Sequence, residues 1–422
     1  MMAIVILMFE NFTPPPFVTF AIPGFFVLIG IEVAIGAWKN RQLYRLNDSI
    51  ADLSTGILSQ LWGLFQKGIG LFAYFYIYEH FRIFEFALNN PWAWVLCIVG
   101  QDFCYYWSHR LAHEVNILWA GHVIHHHSEE YNLVVALRQT GLGGLISWIF
   151  YVPLALVGFH PWMYLGSGQI NLIYQFWVHT KAVGKIGKVG EYLLSTPSHH
   201  RVHHAINPIY IDRNHGGIFI IWDRLFGTFQ EELEPCVYGT VKPLKSFNPV
   251  YANVHYYVEL IQQSFKAKGL WNKVLVFLKR PGWMPPEGNR PAGYLPIPEV
   301  SPERFVKYDP NPSAEVRSYT TAWFVGILLL SFSFLLFVTK FSLLSQILFA
   351  LWVTISLVAV NAMIESKSWA VSVEITRLIF GFLLLGYFGL GWVSYGIGIA
   401  FLMMAGFHFY RSQSKSFQSV SA

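Results

Sequence analysis

Apolar stretches long enough to cross a bilayer recur along the chain, at Phe17–Trp38, Ser54–Tyr78, Gly141–Phe159, Ala322–Val338 and Ser342–Val360, with shorter ones elsewhere. Lipid offers no partner to an unpaired backbone amide, so a chain that crosses it repeatedly in such runs does so as helices. Composition agrees: 54% of the 422 residues are hydrophobic and only 13% are charged, more apolar material than a soluble domain of this length carries. The surplus faces lipid, and the class expected is all-α, a multi-pass membrane helical bundle of about nine spans. Glu10 and Pro14, Pro15 and Pro16 precede the first run without a basic start or a small-residue cleavage site, so it reads as a retained span and not a cleaved leader.

Basic residues set the expected topology. Lys39, Arg41 and Arg45 place the loop after the first span in the cytosol, and Lys181, Lys185 and Lys188 do the same for the end of the fifth. Four further spans, with a break near Gly391, end beside Arg411 and Lys415 on the same side. Pro281 to Pro312 is crowded with Pro, Gly and Asn and reads as a surface connection, a linker at about 281–318. It divides a 1–318 membrane-embedded catalytic region, with a cytosolic histidine-rich cap, from C-terminal membrane helices over 319–422. The net charge of +5 includes no dense basic block of the kind that binds nucleic acid. Cys97, Cys104 and Cys236 form no C-x-x-C pair, no C-x-x-C-H haem attachment and no complete disulfide framework, so cysteine reads as structural.

Most of the sixteen histidines fall in two short windows. The first holds His109 and His113, spaced i and i+4, followed by His122, His125 and His126 as H-x-x-H-H; the second repeats H-x-x-H-H at His200, His203 and His204. On a helix these spacings put imidazoles on one face. Imidazole suits iron, zinc, copper and nickel, and eight of them exceed what one first-row ion accepts, so two metals are implied. The blander readings fit less well. Solvated or pH-sensing histidine tracts need no ligand spacing, and a structural zinc site usually includes cysteine among four ligands. A metal transporter would carry its polar groups across the bilayer midplane, whereas these clusters sit where spans meet the cytosol. Non-haem iron with open positions is the usual protein device for turning oxygen on an unactivated C–H bond, which makes hydroxylation or desaturation of a bilayer lipid the natural chemistry.

The pattern H-x3-4-H followed by two H-x2-3-H-H motifs resembles the fatty acid hydroxylase and sterol desaturase superfamily. Within it, DFCYYWSHRLAHEVNILWAGHVIHHHSEEYNLVVALRQT (Asp102 to Thr140) and TPSHHRVHHAINPIYIDRNHGGIFIIWDRLFGTF (Thr196 to Phe229) are most similar to the branch that cleaves ether lipids. The resemblance carries the family's metal ligands to His109, His113, His122, His125, His126, His200, His203 and His204. It implies two non-haem irons and a tetrahydrobiopterin-dependent hydroxylation of the ether-bearing carbon of an alkylglycerol, giving a fatty aldehyde and a glycerol lipid. It also implies an endoplasmic reticulum membrane in a eukaryote or the cytoplasmic membrane in a bacterium. A sterol desaturase, or a fatty acid or sphingolipid hydroxylase with another electron donor, is the alternative within the superfamily.

Several neighbours are candidates beside these eight. His179, in FWVHT, stands where superfamily members often place another metal-site histidine. Glu114, next to His113, could orient an imidazole or simply lie charged on the helix surface. Asp102 lies seven residues before His109 on the same face of an apolar helix, where an unpaired carboxylate is costly, and a hydrogen bond to a ligand histidine is expected. Asn132, Arg138 and Gln139 could contact substrate or pterin, or serve as caps and surface pairs. His127 makes a third consecutive histidine, and the resemblance supports the register 122, 125, 126. His199 and His215 are candidates for supporting the centre. His80, His160, His255 and His408 stand alone and read as structural, and Trp92, Trp107 and Trp162 as membrane anchors.

Overall fold

The computed structural model describes residues 17–389 apart from Asn289. The expected break near Gly391, His408, Arg411 and Lys415 lie outside them. The described chain is helical apart from turns, loops and one two-stranded ladder, β1 (Trp283–Met284) against β2 (Gly293–Tyr294), within the expected linker. It divides into two compact units. One comprises the residues through Leu244 with Ala252–Lys307, the other Lys245–Tyr251 with the residues from Tyr308 onward.

In the first unit α1 (Phe17–Trp38), α2 (Leu46–Phe81), α3 (Pro91–Glu114) and α4 (Asn116–His126) follow in order. Pro91 opens α3, where a missing amide costs nothing, and the Asn90 side chain accepts the Trp92 N–H at 3.0 Å. Val115 interrupts the run in an extended conformation, so α3 and α4 are separate helices that pack on each other. The expected span at Gly141–Phe159 is not one helix. It is a short α5 (Gly144–Ser147), a 3₁₀ turn over Trp148–Tyr151 and α6 (Val152–Val157). Pro153, which cannot donate a backbone hydrogen bond, sits in the first turn of α6, and Gly158 ends that helix at φ +108°, where a Cβ would lie 1.8 Å from the Phe84 carbonyl oxygen. The chain then enters α7 (Pro161–Trp177), capped by His160. Beyond it come α8 (Lys188–Leu193), α9 (Pro197–His204), α10 (Ile221–Leu225), α11 (Pro249–Lys266, which begins in the second unit's segment) and α12 (Leu270–Leu278).

Apolar packing joins α2, α3, α6 and α7 through Tyr74, Cys97, Leu154 and Met163, and Phe25 of α1 stacks on Phe176 of α7 with ring centroids 4.1 Å apart. All three cysteines are free thiols. Polar residues on the same helices turn inward. Glu32, buried in the first apolar run, accepts the Leu133 amide at 2.9 Å and the hydroxyls of Tyr44 and Thr180. Asp52 on α2 pairs with Arg138 at 2.8 Å.

The second unit contains α13 (Ala314–Leu336), α14 (Leu343–Ile364) and α15 (Ala370–Tyr387). Ser313 and Ser342 cap the first two, and Phe334 stacks on Phe349 at 4.0 Å. Arg377 of α15 is fully buried; it holds Glu374, lies 4.0 Å from the centroid of the Trp323 ring, and its carbonyl accepts Trp352 Nε1–H at 3.1 Å.

Among the described residues four helices are long and apolar enough to cross a membrane: Phe20–Trp38, Ala314–Leu336, Leu343–Ile364 and Ala370–Tyr387. The expected nine-span path would also count α2, α3 and α7, which carry buried polar residues such as Asp52, Asp102 and Asn171, the broken Gly141–Phe159 segment and a stretch beyond Gly389.

Candidate metal centre

The histidine motifs lie on helix ends. His109 and His113 occupy the last two turns of α3, His122, His125 and His126 the C-terminal half of α4, and His200, His203 and His204 the short α9, while His179 follows α7 by two residues. Thr196 begins α9 with a capping box whose third residue is His199, and Pro197 fills its first turn, so a helix of eight residues is well defined despite four histidines.

Tertiary packing sorts these side chains into two groups. His109, His113, His122, His126 and His203 form one, and His125, His179, His200 and His204 the other; within each, one ring nitrogen from every residue lies within 4.8 Å of all the rest. The sorting explains the motif. In each H-x-x-H-H the outer pair, spaced i and i+4, enters one group and the middle histidine, rotated about 100° from its neighbour, enters the other. His122 and His126 thus join the first group and His125 the second, while His200 and His204 join the second and His203 the first.

Backbone carbonyls choose the tautomers. Nδ1 of His109 donates to the His215 carbonyl at 2.9 Å, Nδ1 of His125 to Arg138 at 2.8 Å, Nδ1 of His179 to Gln175 at 2.7 Å and Nδ1 of His203 to Arg213 at 3.0 Å. A carbonyl only accepts, so the proton sits on Nδ1 and each Nε2 offers a lone pair. His125 Nε2 and His179 Nε2 then face each other 3.2 Å apart with two lone pairs and no proton between them. That contact is repulsive unless a cation lies within reach of both. Further Nε2 pairs are His109 with His122 at 3.0 Å, His122 with His126 at 3.1 Å, His179 with His200 at 3.0 Å and His200 with His204 at 3.2 Å. Nitrogens bound ~2.1 Å from one first-row ion lie ~3.0 Å apart at right angles and ~3.4 Å at the tetrahedral angle, so the spacing fits a metal. Nε2 of His113 and of His203 are buried without any hydrogen-bond partner, a cost that coordination would remove. Burial holds the His125 imidazole down at about 4 and those of His200, His203 and His204 well below the usual histidine range, so protons do not compete for these nitrogens near neutrality.

Asp102 does not bond a ligand histidine as expected. Its carboxylate accepts the amides of Ile218 (2.6 Å) and Phe219 (3.1 Å), Trp222 Nε1–H (2.9 Å) and the Asn171 amide (2.8 Å). It clamps the loop whose His215 carbonyl orients His109, because that loop runs along α3, meeting His109 at residue 215 and Asp102, two turns earlier on the helix, at residues 218 and 219. Glu114 orients no imidazole either: it pairs with Arg110 at 3.2 Å and Arg280 at 3.0 Å, its helix position turning it toward cations at the surface. His127 packs on His255 at 4.9 Å and His199 pairs with Glu191 at 3.2 Å, both away from the two groups. Asn132 caps locally and bonds the Leu43 carbonyl, Gln139 bonds the Ala136 carbonyl, and the Arg138 side chain holds Asp52 and the Ile124 carbonyl.

Asp223 was not foreseen. It is fully buried, accepts the amides of His215 and Gly216 at 2.7 Å each, and also accepts the Thr228 hydroxyl. Burial pushes its carboxyl up to about 6, opposed by those three hydrogen bonds. Tyr131, also fully buried, lies 5.4 Å from His204 and 5.8 Å from His179 and donates to the Val178 carbonyl. Only the apolar setting of an acidic residue, in IIWDRLFGTF, could have pointed to Asp223.

A helical membrane protein with a buried double nest of imidazoles is the class that this fold and site define. The fatty acid hydroxylase family model matches residues 94–228, the segment that contains both groups. The chain is 39% identical to the alkylglycerol monooxygenase of Homo sapiens over 89% of its own length and 83% of that protein. It is 40% identical to the Danio rerio enzyme of that name, over 86% and 81%, and 32% identical to that of Caenorhabditis elegans, over 82% and 73%. The chain belongs to the alkylglycerol monooxygenase family. No solved structure matches it significantly.

Proposed function

We propose that the protein is a membrane di-iron monooxygenase that hydroxylates the ether-bearing carbon of an alkylglycerol, with tetrahydrobiopterin as the electron donor. Family membership makes it a lipid-hydroxylating oxidoreductase. The observation that carries the metal reading is the pair of lone pairs of His125 and His179 facing each other across 3.2 Å. The first iron would be held by His109, His113, His122, His126 and His203, and the second by His125, His179, His200 and His204.

Iron bound there supplies activation of O2, so that one oxygen atom enters the C–H bond and the other leaves as water with two electrons and two protons from the donor. The chain's own part is positional. Four carbonyls lock the imidazoles before metal arrives, and burial keeps bulk water from the nitrogens. The hydroxylated ether carbon is a hemiacetal, which collapses to aldehyde and alcohol without further help. In this reading 1–318 is the catalytic region, 319–422 adds membrane helices, the nine-span path puts the site at the cytosolic face, and the membrane is that of the endoplasmic reticulum or the bacterial cytoplasm. The test feeds a labelled alkylglycerol to the purified enzyme with and without tetrahydrobiopterin. Pterin-dependent fatty aldehyde is expected; oxidation of a sterol or acyl chain without pterin selects the sterol desaturase or fatty acid hydroxylase reading instead.

A further inference from the structure

His215 belongs to neither histidine group, yet the structure devotes an elaborate loop to it. Asp212 and Asn214 adopt left-handed conformations at φ 55° and 57°, which Asp and Asn tolerate better than other side chains. Asn214 is pinned to the carbonyls of His199 and Gln230 at 3.1 and 2.8 Å. The His215 amide is held by Asp223, and its carbonyl by His109. These contacts use the backbone alone and leave the side chain unexplained.

That side chain is 0% exposed, and neither ring nitrogen makes a well-formed hydrogen bond; the Asp212 carbonyl is the one backbone group near enough to act on the ring. An imidazole carries one donor and one acceptor, and a buried polar atom left unpaired is costly enough that native structures rarely keep one. The ring lies 5.1 Å from that of His113, 5.6 Å from that of His203 and 5.7 Å from that of His109, on one side of the five-histidine group. Tyr106, the other ring beside it, is 6.4 Å away, and its hydroxyl meets Thr228 and Arg110.

We infer that His215 hydrogen-bonds a small exogenous ligand, such as water or a small anion, bound to the five-histidine centre on its His109–His113–His203 side. A ligand atom there gives the orphaned imidazole its partner, and the imidazole N–H in turn stabilises negative charge on that atom. The inference rests on the reading of the site as a metal centre.

Azide is the probe. The iron-loaded, oxidised enzyme in detergent is titrated with azide, followed by its visible charge-transfer absorption, and iron per chain is measured on the same samples. His215→Ala is expected to keep both irons and bind azide about ten-fold more weakly, the worth of one charge-assisted hydrogen bond. His215→Gln, which retains a donor of similar reach, is expected to recover most of that loss. Wild-type azide affinity in the alanine variant with full iron overturns the inference while leaving the metal centre standing. Loss of iron from both variants also overturns it, because His215 would then be a ligand or a packing residue. A wild-type protein that takes up no iron overturns the metal reading itself and this inference with it.

Discussion

Replacing Asp102 by alanine removes one carboxylate and takes an acceptor from four donors, the buried Ile218 amide, the part-buried Phe219 amide and Trp222 indole N–H, and the Asn171 amide, which keeps its bond to Gln101. A buried donor without a partner costs about 1–3 kcal/mol, and such losses add incompletely when the donors share one site. Removing the carboxylate also removes its own desolvation cost, so the net loss expected is about 3–5 kcal/mol. The consequence reaches the histidines through the loop: Ile218 is three residues from His215, whose carbonyl fixes the tautomer and direction of His109. Loss of an outer hydrogen-bond partner of this kind lowers metal affinity about 10–100-fold. Thermal unfolding in detergent reads the first effect, and competition with a graded chelator followed by metal analysis reads the second. Asp102→Asn, which keeps one acceptor oxygen, should fall between alanine and wild type. An alanine variant with wild-type melting and unchanged chelator resistance would refute the idea that this carboxylate holds the loop.

Three other outcomes are expected. His203→Ala and His125→Ala should each abolish turnover and each lose one metal of the two, from the first and the second group respectively; a single variant that empties both groups would show that they are one site. The metal-free protein should weaken on acidification. The unfolded His125 binds its proton near 6.5 and the folded one only near 4, so the stability it contributes is complete above 6.5 and falls as the pH drops through that window, by about 3 kcal/mol for this group alone. Denaturant titrations at pH 7 and 5 should read about 2 kcal/mol of that drop, the rest falling below pH 5. In the second unit, Arg377→Met leaves the Glu374 carboxylate buried and should cost about 3–5 kcal/mol, whereas Arg377→Met with Glu374→Gln should recover much of it. Melting curves of the three proteins decide the point.

How much of this was legible in advance depends on the kind of signal. The first apolar run coincides with α1, because lipid-facing helices need hydrophobicity over a set length and little else. Gly141–Phe159 has that hydrophobicity, but Pro153 and Gly158 break it, and hydropathy does not weigh backbone geometry. For the histidines, helical spacing was enough to name eight nitrogens with a common purpose, and His179 joined them by resemblance. Their division into two groups was not readable. It depends on how the ends of α3 and α4 meet α7 and α9, brought together within one group from up to 94 residues away in sequence (His109 to His203).

Asp102 illustrates the other limit. Its burial in a helix of apolar neighbours implied a partner, and it has four, but periodicity along α3 pointed to His109, while three of the donors (Ile218, Phe219 and Trp222) arrive from more than a hundred residues later and the fourth, Asn171, from α7. The sequence by itself determined the helical membrane class, the imidazoles and the tilt of the chemistry toward metal, since hydrophobic length and i, i+4 spacing are local properties written residue by residue. Only the tertiary structure decided which nitrogens face one another, which carbonyls hold their protons away and that His215 stands buried beside them without a well-formed hydrogen bond to its ring. Those outcomes depend on backbone atoms, which every residue has alike, and on contacts between segments that no local pattern encodes.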